Sequence, residues 1–409
     1  MRQWMVAAKK ADFYAIAEKF HVDPVVARII RNREVIGEKN IRIYLGGNLS
    51  DLSDPHQMKD MDRLVEILAQ KIRKQVHIRI IGDYDVDGVT SSHLFLTALR
   101  RVGAKVDVVI PHRIQDGYGL SLHLLQQAKE DGVDTILTCD NGIAAIDEIA
   151  WAKAQKMTVL VTDHHAVPFE EHEGRRTEKK SLADAVVNPH QQDCGYPYKE
   201  LCGAGVAWNV IRVLYENYDM DKREAEDLLD FVAMATVCDV MSLTGENRIL
   251  VKEGLKRIRH TKNIGLQALM QACNVQPENI SAYHFGYVLG PCVNATGRLD
   301  TARHALRLFE TGQETEAEEI ARDLVDLNQE RKELTLQGVE MAKKLCEEGG
   351  YENDPVLVLF LPDVHESIAG LIAGRIREMY NRPVFVLTRG EEGAVSYTHL
   401  RAHETRSNL

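Results

Sequence analysis

Apolar and polar positions follow two different rhythms along this chain. From residue 1 to about 70, apolar side chains recur at helical spacing, ending in the amphipathic run LVEILAQKIRKQ. The rhythm then changes. The Val/Ile-rich run VHIRIIG is followed by a helical stretch around SSHLFLTALRRVG, KVDVVIP by LSLHLLQQAKE, and DTILTC by AAIDEIAWAKAQ, before TVLVT and ADAVVN close the series. Alternating strand and helix units of this length predict an α/β fold with a doubly wound, mainly parallel sheet.

Beyond this block, residues 204 to 275 read as helical, with EDLLDFVAMATVCDV and NRILVKEGLKRIR as the clearest segments. A charged stretch from Glu314 to Glu348 has few breakers before Gly349 and Gly350 and predicts a long connecting helix. DPVLVLFLP, ESIAGLIAGRIREMY and PVFVLT read as one more strand–helix–strand unit, the start of a second, partial α/β domain. The expected organisation is a helical region at 1–70, an α/β domain at 71–250, a helical extension at 251–313, the connecting helix at 314–350, and an incomplete second domain at 351–395. A length of 409 residues fits such a division, since single cores rarely grow this large.

Composition narrows the class. A 44% hydrophobic and 27% charged chain is an ordinary globular one. A net charge of -11 argues against a protein that coats polyanions generally, yet it suits a site rich in acids for divalent cations. Seven scattered cysteines form no C-x-x-C pair and read as reduced thiols; Cys139 and Cys238 read as small buried residues. The N-terminus has no uninterrupted apolar core, and no stretch is apolar enough to span a bilayer. The expected compartment is therefore the cytoplasm, without a membrane partner.

The strongest chemical signal is where the acids fall. Asp83, Asp85 and Asp87 follow the first strand-like run, Asp140 follows DTILTC, and Asp163, His164 and His165 follow TVLVT. In an open parallel sheet, ligands bind beyond the carboxyl ends of the strands. Three strands would thus deliver aspartates and histidines to one crevice, with Asp239, at the end of an apolar helix segment, as a further contributor. Carboxylates suit Mg²⁺ and Mn²⁺, and imidazole shifts the preference toward Mn²⁺. So many acids would repel one another without a cation, and two ions sharing a carboxylate is the simplest resolution. Alone, Asp83-x-Asp85-x-Asp87-Gly88 would read as a calcium loop, but its flanks are strand then helix, and the twelfth loop position is Leu94 rather than a glutamate.

These motifs, in the order Asp-Tyr-Asp-Val-Asp-Gly (83–88), Cys-Asp-Asn-Gly (139–142), Thr-Asp-His-His (162–165) and then helix-borne Asp239, resemble the DHH phosphoesterases. The resemblance covers roughly residues 75 to 390. Pro111-His112-Arg113 leading to Asp116-Gly117-Tyr118-Gly119-Leu120, Asn294-Ala295-Thr296-Gly297-Arg298-Leu299, and His365 through Arg375 with Arg382-Pro383 resemble the branch that degrades single-stranded DNA. It implies Asp83, Asp85, Asp87, Asp140, His164 and Asp239 as ligands of two Mn²⁺ or Mg²⁺ ions, with Asp140 as the bridge. Asp140, His164, His165 and Asp163 would carry catalysis, Asp163 and His165 close behind the ligands or against substrate phosphate. Arg113, Asn294, Arg298, His365 and Arg375 would bind substrate; guanidinium groups take phosphate bidentately. A surface salt bridge is the competing reading for Arg113.

The activity so implied is 5′ to 3′ exonucleolysis of single-stranded DNA in repair and recombination, with a single-strand binding protein and a helicase as partners. A phosphodiesterase for short oligonucleotides or cyclic dinucleotides, and a non-catalytic scaffold, are the alternatives. The chain departs from the family after PVFVLT. GEEGAV leads to SYTHLRAHETRSNL, in place of a glycine-rich substrate-binding segment. Residues 396–409 are expected to be a non-native tail without a strand, on a C-terminally truncated enzyme, and the i, i+4 pair His399 and His403 is read there as incidental.

Overall fold

The computed structural model describes residues 9–113, 116–117, 119–172, 175–351, 354–389 and 395–401. Four helices open it: α1 (Phe13–Phe20), α2 (Pro24–Asn32), α3 (Glu38–Gly46) and α4 (Met61–Arg73). Asp12 and Asp23 cap α1 and α2 with side-chain oxygens, as helix N-termini require. Ile30, Val35, Ile41 and Tyr44 make a small core of their own, while α4 packs its apolar stripe into the main core.

The central sheet comprises β1 (Ile78–Ile81), β2 (Val106–Val109), β3 (Thr135–Cys139), β4 (Thr158–Thr162) and, after a hairpin, β7 (Ala185–Val187). Its order is β2-β1-β3-β4-β7 and every pairing is parallel. The crossovers are α5 (Val86–Arg101), α6 (Leu122–Glu130) and α7 (Ile146–Ala154). Successive residues of a strand face opposite sides. Ile80, Leu137, Cys139 and Leu160 accordingly point to the larger core with α5, while Ile81, Ile136, Val159 and Val161 point to the smaller core with α6 and α7. Each fully buried Leu or Ile contributes about 1.5–3 kcal/mol.

The chain leaves β1 toward β2 and then crosses back to β3 on β1's other side. The strand order therefore reverses between β1 and β3, which is where such sheets bind ligands. The hairpin β5 (Phe169–His172) and β6 (Arg175–Glu178) interrupts the run between β4 and β7. Its charged sequence gave no alternating signal.

Helices α8 (Gly203–Asn217), α9 (Lys222–Glu226), α10 (Leu229–Cys238), α11 (Gly245–Arg257), α12 (Ile264–Ala272), α13 (Ala282–His284), α14 (Gly290–Leu299) and α15 (Arg303–Glu310) complete the larger core; a π-helical turn, Phe285–Leu289, joins α13 to α14. The connecting helix is present as α16 (Glu314–Gly349), 36 residues that span roughly 54 Å. Its far end packs, with α17 (Glu366–Tyr380), on β8 (Leu357–Phe360) and β9 (Val384–Arg389), a parallel pair. The last stretch differs from expectation. Val395–Arg401 is a strand, β10, antiparallel to β9, so 396–401 is not strandless. The backbone of β9 offers an unpaired edge there, and Val395, Tyr397 and Thr398 have the β propensity to take it. His403 lies outside the described residues.

Candidate metal centre

The ends of β1, β3 and β4 build the site. Asp83 follows β1 directly. Asp85 caps α5, accepting a hydrogen bond from Gly88 N at 3.0 Å, so Asp87 falls in the first helical turn and points back toward the sheet. Asp140 leaves β3 in the left-handed region (φ 62°), and Gly142 follows at φ 106°. Asn141 ties the two strand ends together, donating from Nδ2 to Ile81 O at 3.0 Å and Cys139 O at 2.9 Å. That bond fixes Asp140 relative to Asp83.

Asp163 follows β4 directly. Its carboxylate accepts from Ile143 N (2.9 Å), His164 N (2.7 Å), His165 N (3.0 Å) and His165 Nδ1 (2.8 Å). These bonds turn His164 inward, and Asn188, after β7, holds the His165 carbonyl at 2.9 Å. Asp239 enters from the C-terminus of α10. Asp87 is gripped from the far side by Gly203 N (2.6 Å) and Ala204 N (2.8 Å), at the N-terminus of α8, where backbone N–H groups favour an anion. Only glycine fits at 203: a Cβ there would stand 2.7 Å from Asp140 Cβ.

The side chains converge. His164 Nε2 lies 3.1 Å from Asp140 Oδ1, 3.6 Å from Asp87 Oδ2 and 3.7 Å from Asp239 Oδ2. Three overlapping trios can each present one ligand atom apiece within 4.8 Å: Asp140 with His164 and His165; Asp87 with His164 and Asp239; Asp83 with Asp85 and Asp140. All six residues read from the sequence as metal ligands are among them, and Asp140 belongs to two trios.

Without a cation this crowding is unfavourable, and the titration behaviour shows it. Burial, then the charge of Asp85, pushes Asp83 up to about 7. Burial, then Asp87 and Asp85, pushes Asp239 up to about 8. Asp85 and Asp140 are raised for the same reasons, burial foremost. Asp163 goes the other way. Burial works to raise it, but its bonds from His165 and the backbone outweigh that and hold it low. His165 is raised to about 8, chiefly by the Asp163 hydrogen bond.

The residues fit divalent cations by a direct test. Asp83 Oδ1 and His164 Nε2 are buried without a hydrogen-bond partner among the described residues. Such groups cost about 1–3 kcal/mol each unless something satisfies them. A set of carboxylate oxygens with one or two imidazoles is the donor set that Mn²⁺ and Mg²⁺ accept. Cys139 and Cys238, beside Asp140 and Asp239, are not part of it; burial pushes the Cys139 thiol up to about 12 and the Cys238 thiol upward too.

The candidate substrate residues lie to one side. Arg113 stacks over the Tyr84 ring at 4.9 Å. Arg298 donates to Ser367 O at 2.7 Å, which joins α14 to the start of α17. Burial, then the charges of Arg113 and Arg331, lowers Arg298 to about 10; burial foremost, with a smaller contribution from the charge of Arg375, lowers Arg331. None of these four arginines makes an ion pair among the described residues. Asn294 Oδ1 accepts from Val86 N at 3.0 Å and so steadies the loop of Asp83 and Asp85. His365 caps α17 through Nδ1 and is otherwise exposed, and Arg375 is exposed about three turns further on.

Three contributors were not singled out from the sequence: the α8 N-terminus, Asn141 and Asn188. Asn188 follows an apolar run as the acids do, which was a usable signal. The Gly203-Ala204-Gly205 stretch before an apolar helix was another, since small residues leave backbone N–H groups open to an anion.

A doubly wound sheet with clustered acids and paired histidines at its switch point defines a class, and the comparisons agree. The family model "DHH family, N-terminal domain" matches residues 77–236. The chain belongs to the DHH phosphoesterase family. It is similar to the single-stranded-DNA-specific exonuclease RecJ of Haemophilus influenzae, 35% identical over 90% of this chain and 64% of that protein. RecJ of Bacillus subtilis is 32% identical, over 93% of this chain and 47% of its own length. A crystal structure of exonuclease RecJ bound to manganese superposes with a TM-score of 0.72 at 32% identity, covering 84% of this chain and 83% of that one. The chain thus spans less than two thirds of the length of these curated relatives. No helix among the described residues is long and apolar enough to cross a membrane.

Proposed function

We propose that this chain is a metal-dependent exodeoxyribonuclease that hydrolyses phosphodiester bonds of single-stranded DNA from the 5′ end. The observation that carries the reading is the position of Asp140, shared by two ligand trios and 3.1 Å from His164. Asp87, His164 and Asp239 would hold one Mn²⁺ or Mg²⁺, and Asp83 and Asp85 a second, with Asp140 common to both. When bound, such ions supply an activated water and neutralise developing phosphoryl charge.

The chain's own residues do the rest. Asp163 fixes both histidines through their backbone and through His165 Nδ1. With Nδ1 so engaged, His165 would meet a substrate phosphate through Nε2. The α8 N-terminus holds Asp87 still, which keeps one carboxylate ready for a cation without reorganisation. Arg113 and Arg298, without acidic partners, would take phosphates of the strand, and Arg331 and Arg375 continue the same line of charge. The likeness to RecJ supports the single-stranded-DNA substrate and the exonuclease activity; we extend the reading to 5′ polarity, a role in repair and recombination, a single-strand binding protein and a helicase as partners, and the cytoplasm as compartment.

The test is substrate choice. With Mn²⁺ present, single-stranded DNA, duplex DNA, a linear dinucleotide and a cyclic dinucleotide are offered side by side. Turnover of the single strand over the duplex supports the reading. Turnover of dinucleotides alone would replace it with a short-substrate phosphodiesterase, and none at all with a scaffold.

A further inference from the structure

Tyr283 and Tyr287 stand one helical turn apart, 62% and 72% exposed, at a place where the fold gives them nothing to pack on. Their rings stack on each other at 5.1 Å between centroids and 23° between planes, and the His284 ring meets Tyr283 edge-on. Aromatic rings normally contribute by burial, so two large rings left in solvent but held parallel are an unusual use of them. Scattered single apolar residues on a surface carry no meaning; a pre-ordered pair does.

Their position gives the pair a use. Tyr283 belongs to α13 and Tyr287 to the π-helical turn Phe285–Leu289, a local widening that is common at functional sites. That turn packs on the C-terminal end of α10, where the Cys238 thiol donates to Phe285 O at 3.3 Å. The next residue after Cys238 is the metal-centre carboxylate Asp239, and Val240 beyond it is 87% exposed. The turn then runs into α14, which carries Asn294 under the Asp83–Asp85 loop and Arg298 under the line of arginines. Tyr287 is thus roughly 16 Å from Arg298 along one helical run. A strand whose phosphates lie on that line would pass its bases within reach of the rings.

We propose that Tyr283 and Tyr287 form a stacking platform for nucleobases of the single strand, beside the metal centre. This rests on the exonuclease reading. It adds a base contact to a grip otherwise made of arginines and backbone. Stacking tolerates any base, because every base has a flat face, and so it suits an enzyme that degrades strands of any sequence. It also disfavours duplex, whose bases are already stacked.

The experiment compares wild type, the double variant Tyr283→Ala/Tyr287→Ala and the double variant Tyr283→Phe/Tyr287→Phe. Each is titrated with Mn²⁺ present onto two fluorescent oligomers of equal length and phosphorothioate linkage, one of thymidine and one abasic. Circular dichroism confirms that the variants fold. The alanine pair should bind the thymidine oligomer about tenfold to a hundredfold more weakly than wild type, and the phenylalanine pair like wild type. On the abasic oligomer all three should bind alike. If the alanine pair binds thymidine oligomer as wild type does, the platform is overturned and the exonuclease reading stands; the same holds if the phenylalanine pair loses as much as the alanine pair. If wild type holds no single strand at all, both readings fall.

Discussion

His164 Nε2 stands 3.1 Å from Asp140 Oδ1, although one residue ends β4 and the other β3. The pairing is a product of the parallel sheet, which places consecutive strand ends side by side, and of Asp163, which turns His164 toward its neighbour. The geometry of the proposed ligands therefore depends on a residue outside their set.

Asp163→Asn tests that dependence. The substitution keeps the shape but removes a carboxylate that accepts from the backbone and from His165. Activity should drop about 10–100-fold, as is usual when the group that orients a metal ligand is changed. Mn²⁺ affinity by calorimetry should weaken in parallel. Unchanged affinity with lost activity would instead place Asp163 in the chemistry itself.

Gly203→Ala tests the closeness of α8 to Asp140. The added Cβ would lie 2.9 Å from Asp140 Oδ1, and Asp140 has no room to retreat in a buried turn at φ 62°. Thermal unfolding should show a loss of about 1–3 kcal/mol, and Mn²⁺ binding should weaken by more than the stability change explains. Gly205→Ala, on the same helix, meets only ordinary contacts at 3.4 Å and serves as the control.

Stability of the metal-free protein should depend on pH in a direction opposite to the usual acid denaturation. Asp83 at about 7 and Asp239 at about 8 lie above their unfolded value of 3.8. Between pH 4 and pH 8 the folded state therefore keeps protons that the unfolded chain has released, and stability falls as pH rises through that window. His165, raised to about 8 by Asp163, adds a loss of the same sign between its unfolded value and pH 8. Chelator-treated protein should melt lower at pH 8 than at pH 5, and Mn²⁺ should flatten the slope. A melting temperature that rises over this range without metal would refute the origin assigned to these shifts.

Arg298→Ala should weaken binding of single strands by about tenfold or more, equally for all sequences, because phosphate contacts carry no base information. The dependence of log affinity on log salt should become shallower by about 0.7, the share of one phosphate contact on a single strand. Lysine at 298 should restore the salt slope but only part of the affinity, since it cannot grip a phosphate bidentately. Loss of the bond to Ser367 O predicts a small drop in melting temperature as well.

Much of this was legible in the sequence because the fold turns order along the chain into order in space. In a parallel sheet, an acid after a Val/Ile run must emerge at the same edge as its counterparts, so Asp83, Asp140 and Asp163 could be brought together without knowing any distance. Asp239 was legible as the end of an apolar helix. What escaped depends on tertiary placement or on backbone alone. Gly203 and Ala204 act through N–H groups that every residue possesses. The hairpin β5–β6 has charged residues on both strands, and the side chains described there show no buried face to impose alternation. Asn294 sits in a motif read as substrate-binding, yet it bonds to the Val86 backbone, 208 residues away in sequence, a pairing no local pattern encodes. Residues 396–401 were read as strandless because their pairing is decided by the free edge of β9 rather than by their own apolar content.

The most direct test of the central claim is digestion of one single-stranded DNA oligomer labelled at the 5′ end and, separately, at the 3′ end. Wild type and Asp140→Ala are each assayed with Mn²⁺ and with chelator. The account predicts release of labelled mononucleotide from the 5′-labelled strand first, dependent on Mn²⁺ and lost in Asp140→Ala. Release that survives chelator or the substitution, or that starts at the 3′ end, would contradict it.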